Sequence, residues 1–132
     1  MNNETDLRPT ILVVEDIEEI RDGIEELLKA TGYHVEAARD ERGAVESARR
    51  KRPDLILISL GGRPRDVIVT AEQIRERAEL GEHVPVVIFC IEDVDEGDEA
   101  AISRNVYATC PDNFDQLRGF VARLLREARN PV

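Results

Sequence analysis

Three stretches of this chain are apolar almost throughout and rich in β-branched residues: Thr10–Val14, Asp54–Ser59 and Val84–Cys90. Runs of four to seven such residues carry neither helical periodicity nor polar alternation. They read as strands covered on both faces, which is the pattern of a parallel sheet. Parallel neighbours need crossover connections, so helices must lie between them. The intervening sequence supplies them. Ile17, Ile20, Ile24, Leu27 and Leu28 fall on one helical face, and Gly32 follows as a stop. Ala44, Val45 and Ala48 mark a second helix that ends before Pro53, and Ile68, Ala71, Ile74 and Ala78 mark a third. Phe114, Leu117, Val121, Leu124, Leu125 and Ala128 form the clearest stripe, opened by Asp112 as a cap.

Two weaker strands complete the set. Tyr33–Ala38 alternates as an edge strand does, and Val106–Thr109 is a short fifth candidate. A further helix is expected near Val94–Arg104. Its apolar positions are small and its start is crowded with like charge, although acid near a helix N-terminus is favourable. Strand and helix thus alternate five times. Right-handed crossovers then place helices on both faces of one sheet.

With 132 residues the chain has room for one core. The expected division is a tail over 1–9, a domain over 10–129 and a tail over 130–132. Apolar residues at 42% and charged residues at 35% suit a soluble globular domain. No apolar run approaches the ~20 residues that span a bilayer, and the polar start lacks a signal peptide's apolar stretch. The expected setting is cytoplasmic, where the two cysteines are thiols. A net charge of −10 argues against direct contact with nucleic acid or an anionic membrane. Six of the 28 acids lie between Glu92 and Glu99. That run is a solvated loop or a docking patch for a basic partner.

In open α/β sheets ligands bind beyond the carboxyl ends of the strands. Glu15 and Asp16 follow the first strand, Ser59 and Cys90 close two others, and Cys110 follows the last. An acidic pair directly after a buried strand is costly unless a cation or a helix terminus compensates it. One reading makes it a site. The other has Asp16 capping the first helix and Glu15 facing water.

These segments also resemble, in order and spacing, the receiver domain of bacterial response regulators, from Thr10 to about Ala128. The resemblance is carried by ILVVED at Ile11–Asp16 with Ile20 and Arg21, by Gly32–Tyr33, and by PDLILISL at Pro53–Leu60 with Ile74–Arg75. PVVIFC at Pro85–Cys90, YATCP at Tyr107–Pro111, and Leu117, Val121 and Leu124 complete it. It implies a flavodoxin-like doubly wound (βα)5 sandwich with five helices and sheet order 2-1-3-4-5. It also implies a non-enzymatic signalling module of two-component phosphorelays. Such a module takes a phosphoryl group from a histidine kinase onto an aspartate, with Mg²⁺, a hydroxyl and a lysine around it.

Only part of that set is present. Glu15 and Asp16 match the acidic pair that helps hold Mg²⁺. Ser59 stands at the acceptor position, Cys90 at the hydroxyl position and Cys110 at the lysine position. Tyr107 matches the aromatic residue that changes rotamer on activation. Asp54 lies at the wrong end of its strand, and Asp66 lies in the loop beyond it. An acyl phosphate needs a carboxylate, which serine lacks, and a neutral thiol offers phosphate no charge. The expectation is a degenerate receiver without phosphorylation, needing no cofactor and binding Mg²⁺ weakly. It would work by protein interaction with a histidine kinase or a downstream regulator. A monomer or a weak homodimer through the helix 4–strand 5–helix 5 face is expected. The rivals are an active receiver with an unusual acceptor and a thiol sensor using Cys90 and Cys110, both distant from His34 and His83. The resemblance further implies a cis Cys110–Pro111 bond, and like charges and small side chains make the fourth helix the one expected to be most mobile.

Overall fold

The structure, a computed structural model, describes residues 8–61, 63–89, 99–111 and 113–129. Among these residues six strands and four helices follow one another: β1 (Thr10–Glu15), α1 (Glu18–Thr31), β2 (His34–Ala38), α2 (Glu41–Arg50), β3 (Leu55–Ser59), α3 (Pro64–Arg77), β4 (Val86–Phe89), β5 (Glu99–Ser103), β6 (Val106–Thr109) and α4 (Phe114–Arg129). They form one sheet in the order β2-β1-β3-β4-β6-β5. The first five strands in that order are parallel, in the expected doubly wound arrangement. The fifth parallel strand of the expectation is therefore β6.

The core has two halves, one on each face of the sheet. Alternate residues Leu12, Val14, Ile56, Ile58, Val86 and Ile88 pack with Ala44, Val45 and Ala48 of α2 and Val67, Ala71 and Ile74 of α3. Their neighbours Ile11, Val13, Leu55, Leu57 and Val87 pack with Leu28 of α1 and Leu117, Phe120, Val121 and Leu124 of α4. Because side chains alternate across a strand, an unbroken apolar run is what a sheet covered on both faces requires. Leu55 through Ile58 are fully buried, each contributing roughly 2 kcal/mol of transfer free energy before entropy is counted.

The expected fourth helix near Val94–Arg104 is corrected. Residues 90–98 lie outside the described set, but Glu99–Ser103 is strand β5, antiparallel to β6. A two-residue turn at Arg104–Asn105 joins the pair, and Asn105 takes the left-handed conformation, φ 57°. Asparagine tolerates that conformation, and a tight turn between two short apolar stretches makes a hairpin. Among the described residues no helix lies between β4 and β6, and the described helices number four.

Four smaller expectations also change. Only Leu28 of the α1 stripe is buried; Ile17, Ile20 and Leu27 are 50%, 46% and 46% exposed. The α4 cap is Asn113, whose Oδ1 accepts the Gln116 N–H at 2.9 Å; Asp112 lies outside the described residues. Asp66 stands in the first turn of α3 rather than in a loop. No described peptide bond is cis, the Cys110–Pro111 bond included.

The hairpin is fastened by a buried cation. The Arg75 side chain on α3 is nearly inaccessible and donates from Nη2 to the Arg104 carbonyl at 2.8 Å. Its Nη1 lies 3.2 Å from the Val84 carbonyl, 3.4 Å from that of Glu82 and 3.5 Å from that of Asn105. Asn105 Nδ2 donates to the carbonyls of Glu82 and His83 at 3.0 and 3.1 Å. Burial lowers the Arg75 pKa below the usual arginine value, opposed by the charges of Glu82 and Glu72.

Candidate functional site

The carboxyl ends of β1 and β3 meet in register. Glu15 is paired with Ser59 across the two parallel strands, as Val14 is with Ile58. The site forms here because β1 runs one residue further than its apolar stretch and so carries Glu15 into the sheet. Glu15 is 2% exposed. Its carboxylate accepts the Ile17 N–H at 3.1 Å, at the start of α1. Ile17 has no side chain able to cap the helix. Glu15 therefore takes the capping role from two residues further back, where a helix N-terminus favours negative charge. Of the two readings of this pair, the one with Asp16 as the cap and Glu15 in water is reversed: Glu15 is buried on the helix start and Asp16 is exposed.

Arg21, one turn into α1, folds back over the same end. Its Nη1 donates to the Glu15 backbone carbonyl at 2.9 Å. The buried carboxylate is thus compensated by a helix-terminal N–H, while the Arg21 guanidinium sits on the adjoining main chain.

Ser59, half-buried, supplies the hydroxyl at the end of β3. Thr109 ends β6 and is buried, and half-buried Cys110 follows it. Cys90 lies outside the described residues. Tyr107 is half-buried on β6 and packs edge-on against Phe120 of α4, ring centroids 5.8 Å apart at 86°. The Arg123 guanidinium lies over the same Phe120 ring, 4.8 Å from its centroid, in a cation–π contact. The fold thus brings Glu15, Asp16 and Ser59 together and leaves Cys110 at the end of the strand beyond β4. Thr109 was missed by sequence reading, because a single threonine closing an apolar strand carries no spacing signal.

The chemistry of this set is limited. Mg²⁺ favours hard carboxylate oxygens in near-octahedral array. Here one carboxylate is turned onto a main-chain N–H, one is exposed, and the third position offers a neutral hydroxyl. Among the described residues no three His, Cys, Asp or Glu side chains gather in a metal-holding group. Neither displaced acceptor is placed to help. Asp54 accepts the Thr10 N–H at 2.8 Å, at the opposite end of the sheet, and Asp66 is exposed on α3.

Comparison with known proteins agrees with this architecture. Residues 11–116 match the response regulator receiver domain family. Among solved structures, the receiver domain of a signal transduction histidine kinase from Syntrophus aciditrophicus is 22% identical at a TM-score of 0.71, covering 94% of this chain and 95% of that one. The receiver domain of the hybrid histidine kinase CckA is 24% identical at a TM-score of 0.63, covering 88% and 98%. The Vibrio cholerae chemotaxis protein CheY4 is 18% identical at 0.65, covering 89% and 98%. At these identities the likeness carries the fold alone.

Proposed function

Because the chain belongs to the response regulator receiver family of two-component signalling, we propose that it is a receiver that has lost phosphotransfer and works as a protein-interaction module. The observation that carries this reading is the residue facing Glu15: Ser59 holds the end of β3, where acyl-phosphate chemistry needs a carboxylate. Cys110 adds no fixed positive charge at the end of β6. Mg²⁺ binding at Glu15 and Asp16 is correspondingly weak and has no catalytic part. With no phosphoryl ligand to favour one state over another, Tyr107 stays in its contact with Phe120.

Receivers act through contacts with histidine kinases or effectors, and this chain offers a surface for one. Ile17, Ile20, Ile24 and Leu27 recur along α1 at spacings of three and four, and all but Ile24 are well exposed. That is the seam one helix presents to another. Its borders are acidic, with Glu18, Glu19, Asp22, Glu25 and Glu26 against Arg21 and Lys29. The complementary partner is an amphipathic helix with basic flanks.

The test is intact mass after incubation with acetyl phosphate and Mg²⁺. An unchanged mass is expected. A stable gain of about 80 Da, one phosphoryl group, at any aspartate overturns the reading in favour of an active receiver.

A further inference from the structure

We propose that the cleft between the ends of α2 and α3 binds the phosphate group of a small phosphomonoester, held by Arg49 and Arg52. The cleft has a volume of about 380 Å³ and is lined by Ala48, Arg49, Arg52, Ala78 and Glu79. Arg52 precedes β3, whose far end carries Ser59, so the cleft is separate from the site described above.

Charge is concentrated here. Arg49, Arg50, Lys51 and Arg52 are consecutive and exposed, in a chain of net charge −10. α2 ends within this run, and cations suit the last turn of a helix. That explains basic residues at the position but not the reach of Arg49 and Arg52, which cross to the end of α3. Arg49 donates from Nε and Nη2 to the Arg77 carbonyl at 3.1 and 2.8 Å. Arg52 donates from Nη1 to the Glu79 carbonyl at 3.3 Å.

A carbonyl orients a guanidinium without neutralising it. The neighbouring arginines differ on this point. Arg77 is ion-paired with Glu41 at 2.8 Å, and Arg75 is buried with its donors spent on main-chain carbonyls. Arg49 and Arg52 have no carboxylate partner among the described residues. Their two forks are fixed in place and uncompensated, which is the state an oxyanion site needs. Binding then requires little further ordering of either side chain.

Charge and size select the ligand. Two guanidinium forks lining one cleft match a dianion better than a single carboxylate, and Arg50 and Lys51 strengthen the local field. The cleft is at the small end of the range for small-molecule sites. A long polyanion is disfavoured, because the acidic remainder of the chain repels it. Glu79 lines the same cleft and opposes an anion, so it holds the affinity below what the arginines alone would give.

The test is NMR titration of the full chain, following the Arg49 and Arg52 Nε–Hε signals, with ethyl phosphate as the probe and ethanol as its uncharged control. A saturable shift with a Kd of about 1 mM is expected for ethyl phosphate and none for ethanol. Arg49→Gln and Arg52→Gln keep a donor for the α3 carbonyls and remove the charge. Each should weaken binding about tenfold with the melting temperature nearly unchanged. Glu79 has left-handed backbone, φ 59°, which asparagine tolerates. Glu79→Asn should therefore keep the fold and tighten binding. Arg42→Gln, on α2 but outside the cleft, should bind as the parent does. A shift that stays linear to ~20 mM overturns the proposal. So does binding indifferent to both cleft variants, or weakened as much by Arg42→Gln, which would mean attraction to overall charge. A glutamate-rich peptide that displaces ethyl phosphate at lower concentration also overturns it, in favour of an acidic protein segment. A gain of phosphoryl mass at an aspartate is a separate outcome, because this binding is non-covalent and lies at the other end of β3.

Discussion

Glu15 and Ser59 face each other across the carboxyl ends of β1 and β3, the first buried with its carboxylate on the Ile17 N–H, the second half-buried with a neutral hydroxyl. The pairing sets what a change at either residue does.

Ser59→Asp puts a second carboxylate on the strand paired with Glu15, the two backbones lying about 4.8 Å apart. Like charges at that distance, one of them already desolvated, disfavour the folded chain. The expected cost is on the order of 1–2 kcal/mol, read as a lower melting temperature and partly recovered by millimolar Mg²⁺. The variant should still gain no stable phosphoryl group, because no cation stands at Cys110 to share the developing charge. A variant as stable as the parent without Mg²⁺ would contradict this account of the site.

Arg75→Met removes donors from four main-chain carbonyls, and Arg75→Lys keeps the charge but loses the planar fork. Urea denaturation should show losses of about 2–4 kcal/mol for the first and somewhat less for the second. Hydrogen exchange should accelerate first at Val86 and Val106, next to the freed turn. Equal stability in all three proteins would mean that the carbonyls find water instead.

Asn105 combines a left-handed backbone with two side-chain hydrogen bonds. Asn105→Gly preserves the conformation and loses the bonds; Asn105→Ala loses both. The alanine variant should therefore be the less stable by about 1 kcal/mol. Thermal melts rank the two, and an alanine variant at least as stable as the glycine variant would show that the left-handed backbone does not specify the turn.

Burial raises the Tyr33 pKa above its ordinary 10.0, with Arg118 and Arg126 pulling the other way. Between pH 10 and that raised value the folded chain holds a proton that the unfolded chain has released. Its contribution is complete below pH 10 and is lost as pH rises through the folded value. Stability should fall with pH on this alkaline limb, and Tyr33→Phe should flatten the fall.

The strands were the most legible part of the fold. An unbroken run such as Leu55–Ile58 has no reading that leaves one face in water, so the buried sheet and its flanking helices followed from β1, β3 and β4. The hairpin was harder. Ala100–Ile102 is short and its alanines suit helix as well as strand. The deciding signal was Asn105, a turn residue between two short apolar stretches. The α1 stripe misled for a different reason. Positions 17, 20, 24, 27 and 28 share a side of the helix, but periodicity cannot say whether that side meets the core or a partner. Glu15 and Asp16 posed the same difficulty over a single residue, since extending β1 by one position decides which acid is buried. The residue types at the strand ends were readable; their burial, and the turning of Glu15 onto Ile17, depended on that register.

The clasp of Arg75 on the β5–β6 turn ties the antiparallel edge of the sheet to α3. Lifting the turn would strand a guanidinium among groups that cannot hydrate it, so hairpin and helix must shift as one piece or not at all. A force applied along the edge strand is thereby delivered to the far end of the molecule from Glu15 and Ser59. The Arg104–Asn105 turn and the strand ends at Glu15 and Ser59 thus lie at opposite ends of the sheet, and it is the turn that moves with α3.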